Sequence, residues 1–285
     1  MEIQAPAKIN LFLDVLGKRT DGYHELQSLM CPIGIHDTVR LSCDPAATSG
    51  DITVTCPHPL VPLGRANLAW AAAASFFAET GFAAKTVVSI DKHIPVGAGL
   101  GGGSSDAAAV LTGLNRLFEN PLPADRLMML GLRLGADVPF FIYGQPAIAA
   151  GIGEKLSPLS GLPRFNLVLI YPGCPVSTTE VYKKLNLALT KNKKIHTKFT
   201  FKSGSEADFA RRLYNALEPP AMQLCPEIRH AKQALMDCGA LKALMSGSGS
   251  SVFGLFSDAE KARQAFDRLS ARQGTWQVFE TSLLR

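Results

Sequence analysis

The chain has 285 residues, of which 47% are hydrophobic and 19% charged, and its formal net charge is +5 at pH 7. This composition excludes a disordered protein and is sufficient for one large or two smaller hydrophobic cores. The basic excess is spread over both halves, whereas a nucleic-acid-binding protein usually concentrates it on one face. The charge fits an enzyme of anionic substrates, and we expect no nucleic-acid partner.

The N-terminal residues lack the basic start and the continuous apolar run of a secretory signal. No stretch reaches the roughly 18 uncharged apolar residues of a spanning helix. We therefore expect a cytoplasmic protein with no membrane partner. The six cysteines form no CxxC pair and the six histidines form no HExxH motif, which predicts reduced thiols and no zinc site.

The first half is predicted to begin with strands and to continue with a helix. β-Branched residues in partial alternation predict strands at residues 9–16, 38–43 and 51–56. A helix is predicted to start at Asn67, a suitable N-cap, and to stop near Gly81, a suitable C-cap. A strand at 86–90 is expected to follow.

The remaining predicted elements mix helices with strands. Helices are expected directly after residue 106 and near 124–134, 207–217, 226–237 and 258–271. Strands are expected near 166–170, 242–245, 251–256 and 275–281. The order shows no βαβ regularity, which predicts an α+β protein, and the segment at 158–164 is typical of an interdomain connection.

The strongest chemical signal is PVGAGLGGGSSD at residues 95–106. Its glycines have no Cβ to keep backbone amides away from a ligand, and the N-terminus of the following helix attracts anions. No lysine follows the glycines, and the segment is not GxGxxG with an acidic ribose-binding residue on the next strand, so neither a Walker NTPase nor a Rossmann enzyme is supported. The segment predicts a phosphate site of another kind, because a flexible connection needs neither five glycines nor a helix behind them.

Three motifs together resemble those of the GHMP kinases, named for galactokinase, homoserine kinase, mevalonate kinase and phosphomevalonate kinase. They are PAKINL at 6–11, the glycine segment, and SGSGSS at 246–251. The resemblance implies a two-domain α+β fold, with ATP and substrate in the cleft between the domains. A ribosomal-protein-like N-terminal ATP-binding domain would occupy residues 1–160, and a ferredoxin-like C-terminal domain residues 161–285.

Two further motifs, TDGYHELQ at 20–27 and LGADVPFF at 134–141, are similar to signatures of the diphosphocytidyl-methylerythritol kinases within that superfamily. The resemblance implies ATP-dependent phosphorylation of the 2-hydroxyl of a cytidine diphosphate conjugate in the non-mevalonate (MEP) isoprenoid pathway. Phosphorylation of homoserine or mevalonate is disfavoured by the dipeptide Tyr23–His24. RNA binding by a ribosomal-type domain is disfavoured, because RNA binding requires none of the three features that occur together here: Lys8, the glycine segment and Asp137.

The resemblance assigns catalysis to Lys8 and Asp137. Asp137 matches the family's catalytic aspartate, which would accept the proton of the substrate hydroxyl, although an aspartate in a loop before proline is also a turn former. Lys8 matches the family's motif lysine, whose charge would keep Asp137 ionised and neutralise the reacting oxygens. A lone lysine on a strand is more usually solvated surface.

Substrate binding is expected from four residues that match the family's pattern: Asn10, Tyr23, His24 and Tyr182. Tyr23 and His24 would stack on the cytosine ring and hydrogen-bond to it. Stacking of a base on an aromatic ring contributes about 1–3 kcal/mol. Tyr182 lies where the family often has a second aromatic ring, and ordinary core packing is an even alternative for it.

For ATP, the resemblance implies contacts from the whole glycine segment, namely Pro95, Val96, Gly97, Ala98, Gly99, Leu100, Gly101, Gly102, Gly103, Ser104 and Ser105. Asn67 resembles a nucleotide-contacting position, although its N-cap role alone explains an asparagine there. Lys92 is expected to reach the nucleotide. Mg²⁺ is expected to be carried mainly by ATP, because the sequence shows no cage of carboxylates.

A run without acidic residues between Glu180 and Glu206 is rich in lysine. It contains Lys183, Lys184, Lys191, Lys193, Lys194, Lys198 and Lys202. A solvated loop is one interpretation, and attraction of phosphorylated ligands is the other.

Overall fold

The computed structural model describes residues 1–44, 47, 50–185, 205–272 and 274–284. Its contacts divide the chain into two compact units, each assembled from separate stretches of sequence. Unit 1 comprises Met1–Ala7, Ile35–Val96 and Gly101–Gln145. Unit 2 comprises Lys8–Gly34, Gly97–Leu100 and Pro146–Arg285.

Two long strands begin the chain, and each contributes residues to both units. They are β1 (Glu2–Lys18) and β2 (His24–Asp44), and they pair with each other. β2 is much longer than the predicted strand at 38–43. Its first half has a tertiary partner that the local pattern does not reveal, since residues 26–30 pair with a later strand at 147–151.

Unit 1 combines β-strands with four α-helices. The strands β3 (Ile52–Thr55) and β4 (Lys85–Asp91) pair in parallel, and β4 is antiparallel to residues 38–44 of β2. A short 3-10 helix, Gly64–Ala66, precedes the first α-helix. The α-helices are α1 (Leu68–Thr80), α2 (Gly102–Leu117), α3 (Ala124–Leu134) and α4 (Val138–Tyr143).

Helix α1 shows how local signals define its ends. The side chain of Asn67 accepts a hydrogen bond from Ala69 N at 2.8 Å, and Gly81 adopts a left-handed φ of +73°. Both predicted caps are therefore confirmed. Small residues allow the helix to pack closely in the core of unit 1, where Ala72, Ala73 and Phe76 are fully buried.

Unit 2 contains two antiparallel arrangements of strands. The strands β5 (Ala147–Gly151) and β6 (Lys155–Pro158) pair with each other, and β5 pairs with residues 26–30 of β2. The second sheet has the order β10-β7-β9-β8. Its members are β7 (Asn166–Tyr171), β8 (Lys242–Met245), β9 (Val252–Phe256) and β10 (Gln277–Ser282).

Most of the helices of unit 2 pack against this sheet through a core that includes Val168, Ile170, Ile228 and Val252. Leu13 of β1 belongs to the same core. The helices are α5 (Thr178–Lys184), α6 (Glu206–Arg211), α7 (Glu218–Leu224), α8 (Glu227–Asp237) and α9 (Ala259–Ser270). The mixed architecture confirms the predicted α+β class.

The predicted helix at 207–217 is wrong in its second half. Helix α6 ends at Arg211, and the backbone of the next residues instead bonds to β1: Leu13 N donates to Tyr214 O at 3.0 Å and Ala216 N donates to Leu13 O at 2.9 Å. Pairing with a distant strand therefore overrides the helical propensity of this segment. Helices α4, α5 and α7 and the strands β5 and β6 were not predicted.

The two compact units are not divided at a single point in the sequence, whereas the prediction placed a domain boundary at residue 160. Residues 8–34 lie with unit 2 although they come early in the sequence. The reason is that β1 extends over 17 residues and β2 over 21, so that each strand contributes residues to both units. Within the described residues, none of the helices combines the length and the apolarity needed to cross a membrane.

Candidate functional site

In unit 1, the end of the glycine segment forms the N-terminus of α2. Gly101 is the N-cap with φ +74°, and the first helical hydrogen bond runs from Ser105 N to Gly101 O at 2.9 Å. The amides of Gly102, Gly103 and Ser104 precede it and have no acceptor inside the helix. These three amides, with the positive end of the helix dipole, form a site suited to phosphate.

The two serines of this turn differ in their surroundings. Ser105 is buried, and its hydroxyl donates a hydrogen bond to Pro6 O at 2.7 Å. That contact fastens α2 to the PAKINL motif. Ser104 is half-buried and lies close to the loop after α3, since a Cβ built on Gly135 would be 3.7 Å from its Oγ. Of the two hydroxyls, that of Ser104 is therefore the better placed for a ligand.

Lys92 lies in a buried group of charges beneath this turn. Its ammonium forms ion pairs with Asp37 and, at 2.8 Å, with Asp106 of α2. Asp37 also accepts hydrogen bonds from the amides of His93 and Ile94 at 2.7 and 2.8 Å. Burial alone would lower the pKa of Lys92, but Asp106 and Asp37 outweigh it and raise this pKa. The observed contacts make Lys92 an anchor for α2, and its contact with a nucleotide stays a prediction.

Asn67 has both ends of its side-chain amide engaged. Its Oδ1 caps α1, and its Nδ2 donates to Pro62 O at 2.8 Å. The structure thus accounts for this residue by its capping role. The end of α1 is nevertheless close to the glycine segment, because the side chain of Leu68 would lie 3.8 Å from a Cβ on Gly103.

Asp137 lies at the start of α4 and is half-buried. Its side chain makes no capping hydrogen bond to that helix. The loop that carries it is held by the hydrogen bond from Val138 N to Gly135 O at 3.1 Å. Because Gly135 is next to Ser104, the loop of Asp137 and the N-terminus of α2 are neighbours within unit 1.

In unit 2, Lys8 is buried on β1 instead of being solvated surface. Its Nζ donates to Asn10 Oδ1 at 2.7 Å, and Asn10 Nδ2 donates to Ser28 Oγ at 2.8 Å. Ser28 in turn donates to Phe12 O at 2.6 Å. The amide of Asn10 therefore orients Lys8, and direct binding of substrate by Asn10 stays a prediction.

Next to Lys8, the two glycine motifs of unit 2 pack backbone against backbone. Ser246 Oγ donates to Gly99 O at 3.0 Å, and Ser251 N donates to Ala98 O at 3.1 Å. Gly99 has φ +78°, and a Cβ there would overlap Ser246 O. Only glycine fits this position, and the side chains of Ala98 and Leu100 are buried.

The two aromatic residues of the TDGYHELQ motif differ in their surroundings. His24 stacks on Tyr182, with ring centroids 4.7 Å apart and an interplanar angle of 27°. Tyr23 is 59% exposed. Burial, with a smaller effect from Lys18, lowers the pKa of His24 below its ordinary value, which favours the neutral ring. Stacking of these rings on a base stays a prediction.

Sequence reasoning missed four buried polar residues that support the site: Ser28, Asp37, Asp106 and Asn215. Asp106 is the last residue of the PVGAGLGGGSSD motif, which was the only available signal for it. Ser28 directly follows the TDGYHELQ motif, whereas Asp37 and Asn215 lie outside the motifs, and all three act through contacts that the fold creates.

No metal centre is apparent in the described ranges, where no three His, Cys, Asp or Glu side chains are grouped to hold an ion. In the lysine-rich run, Lys183 pairs with Glu180 at 2.8 Å. Residues Lys191, Lys193, Lys194, Lys198 and Lys202 lie outside the described residues.

Two family models match the chain. The model of the GHMP kinases N terminal domain matches residues 67–145, and the model of the GHMP kinases C terminal matches residues 200–274. The first match includes the glycine segment and Asp137, and the second includes the SGSGSS motif.

Similar full-length proteins are known. A 4-diphosphocytidyl-2-C-methyl-D-erythritol kinase of Syntrophotalea carbinolica is 47% identical over 275 residues, which is 96% of each chain. A crystal structure of a 4-(cytidine 5'-diphospho)-2C-methyl-D-erythritol kinase aligns with a TM-score of 0.80 and 36% identity, covering 99% of both chains. A homoserine kinase from Cytophaga hutchinsonii aligns with a TM-score of 0.75 over 99% of this chain and 94% of its own at 19% identity, a likeness of fold alone.

Proposed function

We propose that the chain transfers the γ-phosphate of ATP to the 2-hydroxyl of 4-diphosphocytidyl-2-C-methyl-D-erythritol in the MEP isoprenoid pathway. The reason is that the chain belongs to the 4-diphosphocytidyl-2-C-methyl-D-erythritol kinase family of GHMP kinases. The observation that carries the proposal is the buried ammonium of Lys8 beside glycine backbone. A Cβ on Gly247 would be 3.3 Å from its Nζ. A fixed cation bordered by glycines suits a phosphoryl group.

In the proposed reaction, the hydroxyl oxygen attacks the γ-phosphorus, the bond to the β–γ bridging oxygen breaks, and ADP leaves. Asp137 accepts the hydroxyl proton. Lys8 stabilises the negative charge that develops on the transferred group, and Asn10 keeps its ammonium oriented. The amides of Gly102, Gly103 and Ser104 bind phosphate oxygens of ATP.

Mg²⁺ is proposed to arrive bound to ATP, where it would neutralise phosphate charge. The described residues offer no cluster of acidic ligands for it.

For the substrate, we assign the cytosine ring to Tyr23 and His24, with Tyr182 beside them. The support is the resemblance of the TDGYHELQ motif together with the stacking of His24 on Tyr182. Stacking contributes about 1–3 kcal/mol for each base, so this contact would account for much of the selectivity.

The test is a panel of alcohols with ATP and Mg²⁺, followed by ADP release: 4-diphosphocytidyl-2-C-methyl-D-erythritol, homoserine, mevalonate and galactose. We expect the highest kcat/KM for the cytidine conjugate. Asp137→Asn should lower kcat by about 10²–10⁴ with nearly unchanged ATP affinity, because it removes only the proton acceptor.

The matched control is Asp125→Asn, an exposed aspartate in the first turn of α3 within unit 1. It should turn over at the unaltered rate. A preference for any of the other three alcohols would exclude the proposed substrate, and normal turnover by Asp137→Asn would exclude the proposed base.

A further inference from the structure

Asn215 is a buried asparagine between α6 and α7 that no motif contains. It is 5% exposed. Its Nδ2 donates to Met245 O and to Gly247 O, both at 2.8 Å, and its Oδ1 accepts from Leu217 N at 2.9 Å. Both donors of the side-chain amide are thus directed at the start of the SGSGSS motif.

The residue that Asn215 holds is the one that faces Lys8. A Cβ on Gly247 would be 2.9 Å from Gly99 O, 3.3 Å from Lys8 Nζ and 3.5 Å from Asn10 Oδ1. Gly247 therefore lies against both the ammonium of Lys8 and the preceding glycine motif. A shift of its carbonyl would change the surroundings of both.

The segment that carries Asn215 is also bonded to the strand that carries Lys8. Leu13 N donates to Tyr214 O at 3.0 Å, and Ala216 N donates to Leu13 O at 2.9 Å. The contacts close a ring within unit 2, from Lys8 along β1 to Leu13, across to Asn215, on to Gly247 and back to Lys8. A closed ring restricts each member more than a single contact does.

A second buried side chain secures the same strand end. Glu218 Oε2 accepts from Met245 N at 3.1 Å, and its Oε1 forms an ion pair with Lys232. Met245 is thereby held at its amide by Glu218 and at its carbonyl by Asn215. Two polar side chains from one short segment thus define where β8 ends and the glycine motif begins.

We propose that Asn215 is a positioning residue for phosphoryl transfer, which sets the distance between Gly247, Gly99 and Lys8 without touching ATP. The proposal rests on the proposed function, since it assumes that Lys8 and the glycine segment act on the phosphates of ATP.

The test compares Asn215→Ala with Asn115→Ala in the full chain. Asn115 is a matched control because it is also 5% exposed and holds a loop: its Nδ2 donates to Leu122 O and its Oδ1 accepts from Leu122 N, both at 3.0 Å. It belongs to unit 1 and lies at the far end of α2 from the glycine segment. Both substitutions remove a buried amide without adding charge.

We expect both variants to melt at a lower temperature, because each leaves backbone groups unpaired. Only Asn215→Ala should weaken ATP binding, measured by calorimetry on folded protein, and lower kcat/KM by about ten- to a hundredfold, since small misplacements of a catalytic group have effects of that size. Equal changes in the two variants, or unchanged ATP affinity in Asn215→Ala, would overturn the proposal.

A measurement on the unaltered chain does not depend on the folding of a variant. ATP should slow hydrogen exchange at the amide of Leu217, which bonds to Asn215, and leave that of Leu122 unchanged. An unaffected Leu217 would contradict the role. If the chain binds ATP but phosphorylates no alcohol of the panel, the substrate proposal fails while ATP affinity still decides the role of Asn215.

Discussion

At the level of single residues, the main feature of the candidate site is the burial of two lysine side chains. Lys8 and Lys92 are both almost fully buried, and each is compensated, Lys8 by Asn10 and Lys92 by two carboxylates. Burial alone would lower the pKa of Lys92, but Asp106 and Asp37 raise it, so these contacts keep that ammonium charged. The second carboxylate oxygen of Asp106, Oδ1, has no hydrogen-bond partner within the described residues.

The burial of the Asp106 carboxylate predicts that the free energy of unfolding depends on pH. Burial raises the pKa of Asp106 to about 7, although Lys92 lowers it. An unfolded aspartate ionises near pH 4, so between about pH 4 and 7 the folded state holds a proton that the unfolded state has lost, and stability falls as pH rises through this window. Asp106→Asn removes the effect. Its melting temperature relative to the unaltered chain should therefore be higher at pH 8 than at pH 5, and a difference independent of pH would contradict the assignment.

At the scale of elements, the two glycine motifs of unit 2 act as one structure. The carbonyls of Ala98, Gly99 and Leu100 accept hydrogen bonds from Ser251 N, from Ser246 Oγ and from Lys8 N at 3.0–3.1 Å. Three consecutive carbonyls are thus fixed by groups from two other stretches of the chain, the SGSGSS motif and β1. Side chains larger than hydrogen at Gly99 or Gly247 would separate the motifs.

Gly99→Ala tests this packing. Its Cβ would overlap Ser246 O and lie 2.9 Å from Gly249 O, in addition to the strain of φ +78°. Gly81→Ala is the control for strain alone, because Gly81 has φ +73° and no atom within 4 Å of the added Cβ. Chemical denaturation should show that Gly99→Ala loses about 1–3 kcal/mol more free energy of unfolding than the control. Equal losses would show that the motifs can move apart.

At the scale of the whole molecule, the compact units cut across the order of the sequence. Unit 2 includes residues 8–34, and Leu13 and Val15 are part of its core with Ile170 and Ile228. The backbone of Leu13 also pairs with residues 214 and 216. The C-terminal part of the sequence therefore lacks core residues and strand partners that the N-terminal part supplies.

A fragment of residues 161–285 should accordingly fail to unfold cooperatively, as measured by circular dichroism on heating. Co-expression of separate chains 1–160 and 161–285 is the control, because the division lies between exposed residues Ser160 and Gly161 and leaves every core residue available. The pair should show a cooperative transition. Cooperative unfolding of the fragment alone would mean that residues 8–34 are dispensable for unit 2.

Features that depend on residues adjacent in the sequence could be predicted without the structure. The caps of α1 at Asn67 and Gly81, and the helix that follows the glycine segment, are local, because a hydrogen-bonding side chain or a missing Cβ acts within one turn. The motifs carried the family resemblance for the same reason, since each is a short run of residues that recurs in order.

Which distant residues support those motifs depends on the folding of the whole chain. Asn215 lies in a segment whose own pattern predicts a helix, yet pairing with Leu13 prevents one and directs its amide to Gly247. Asp37 and Asp106 meet Lys92 from positions 55 and 14 residues away in the sequence. Buried polar groups must find partners wherever the fold places them, and no local pattern encodes partners that only folding brings within 3 Å.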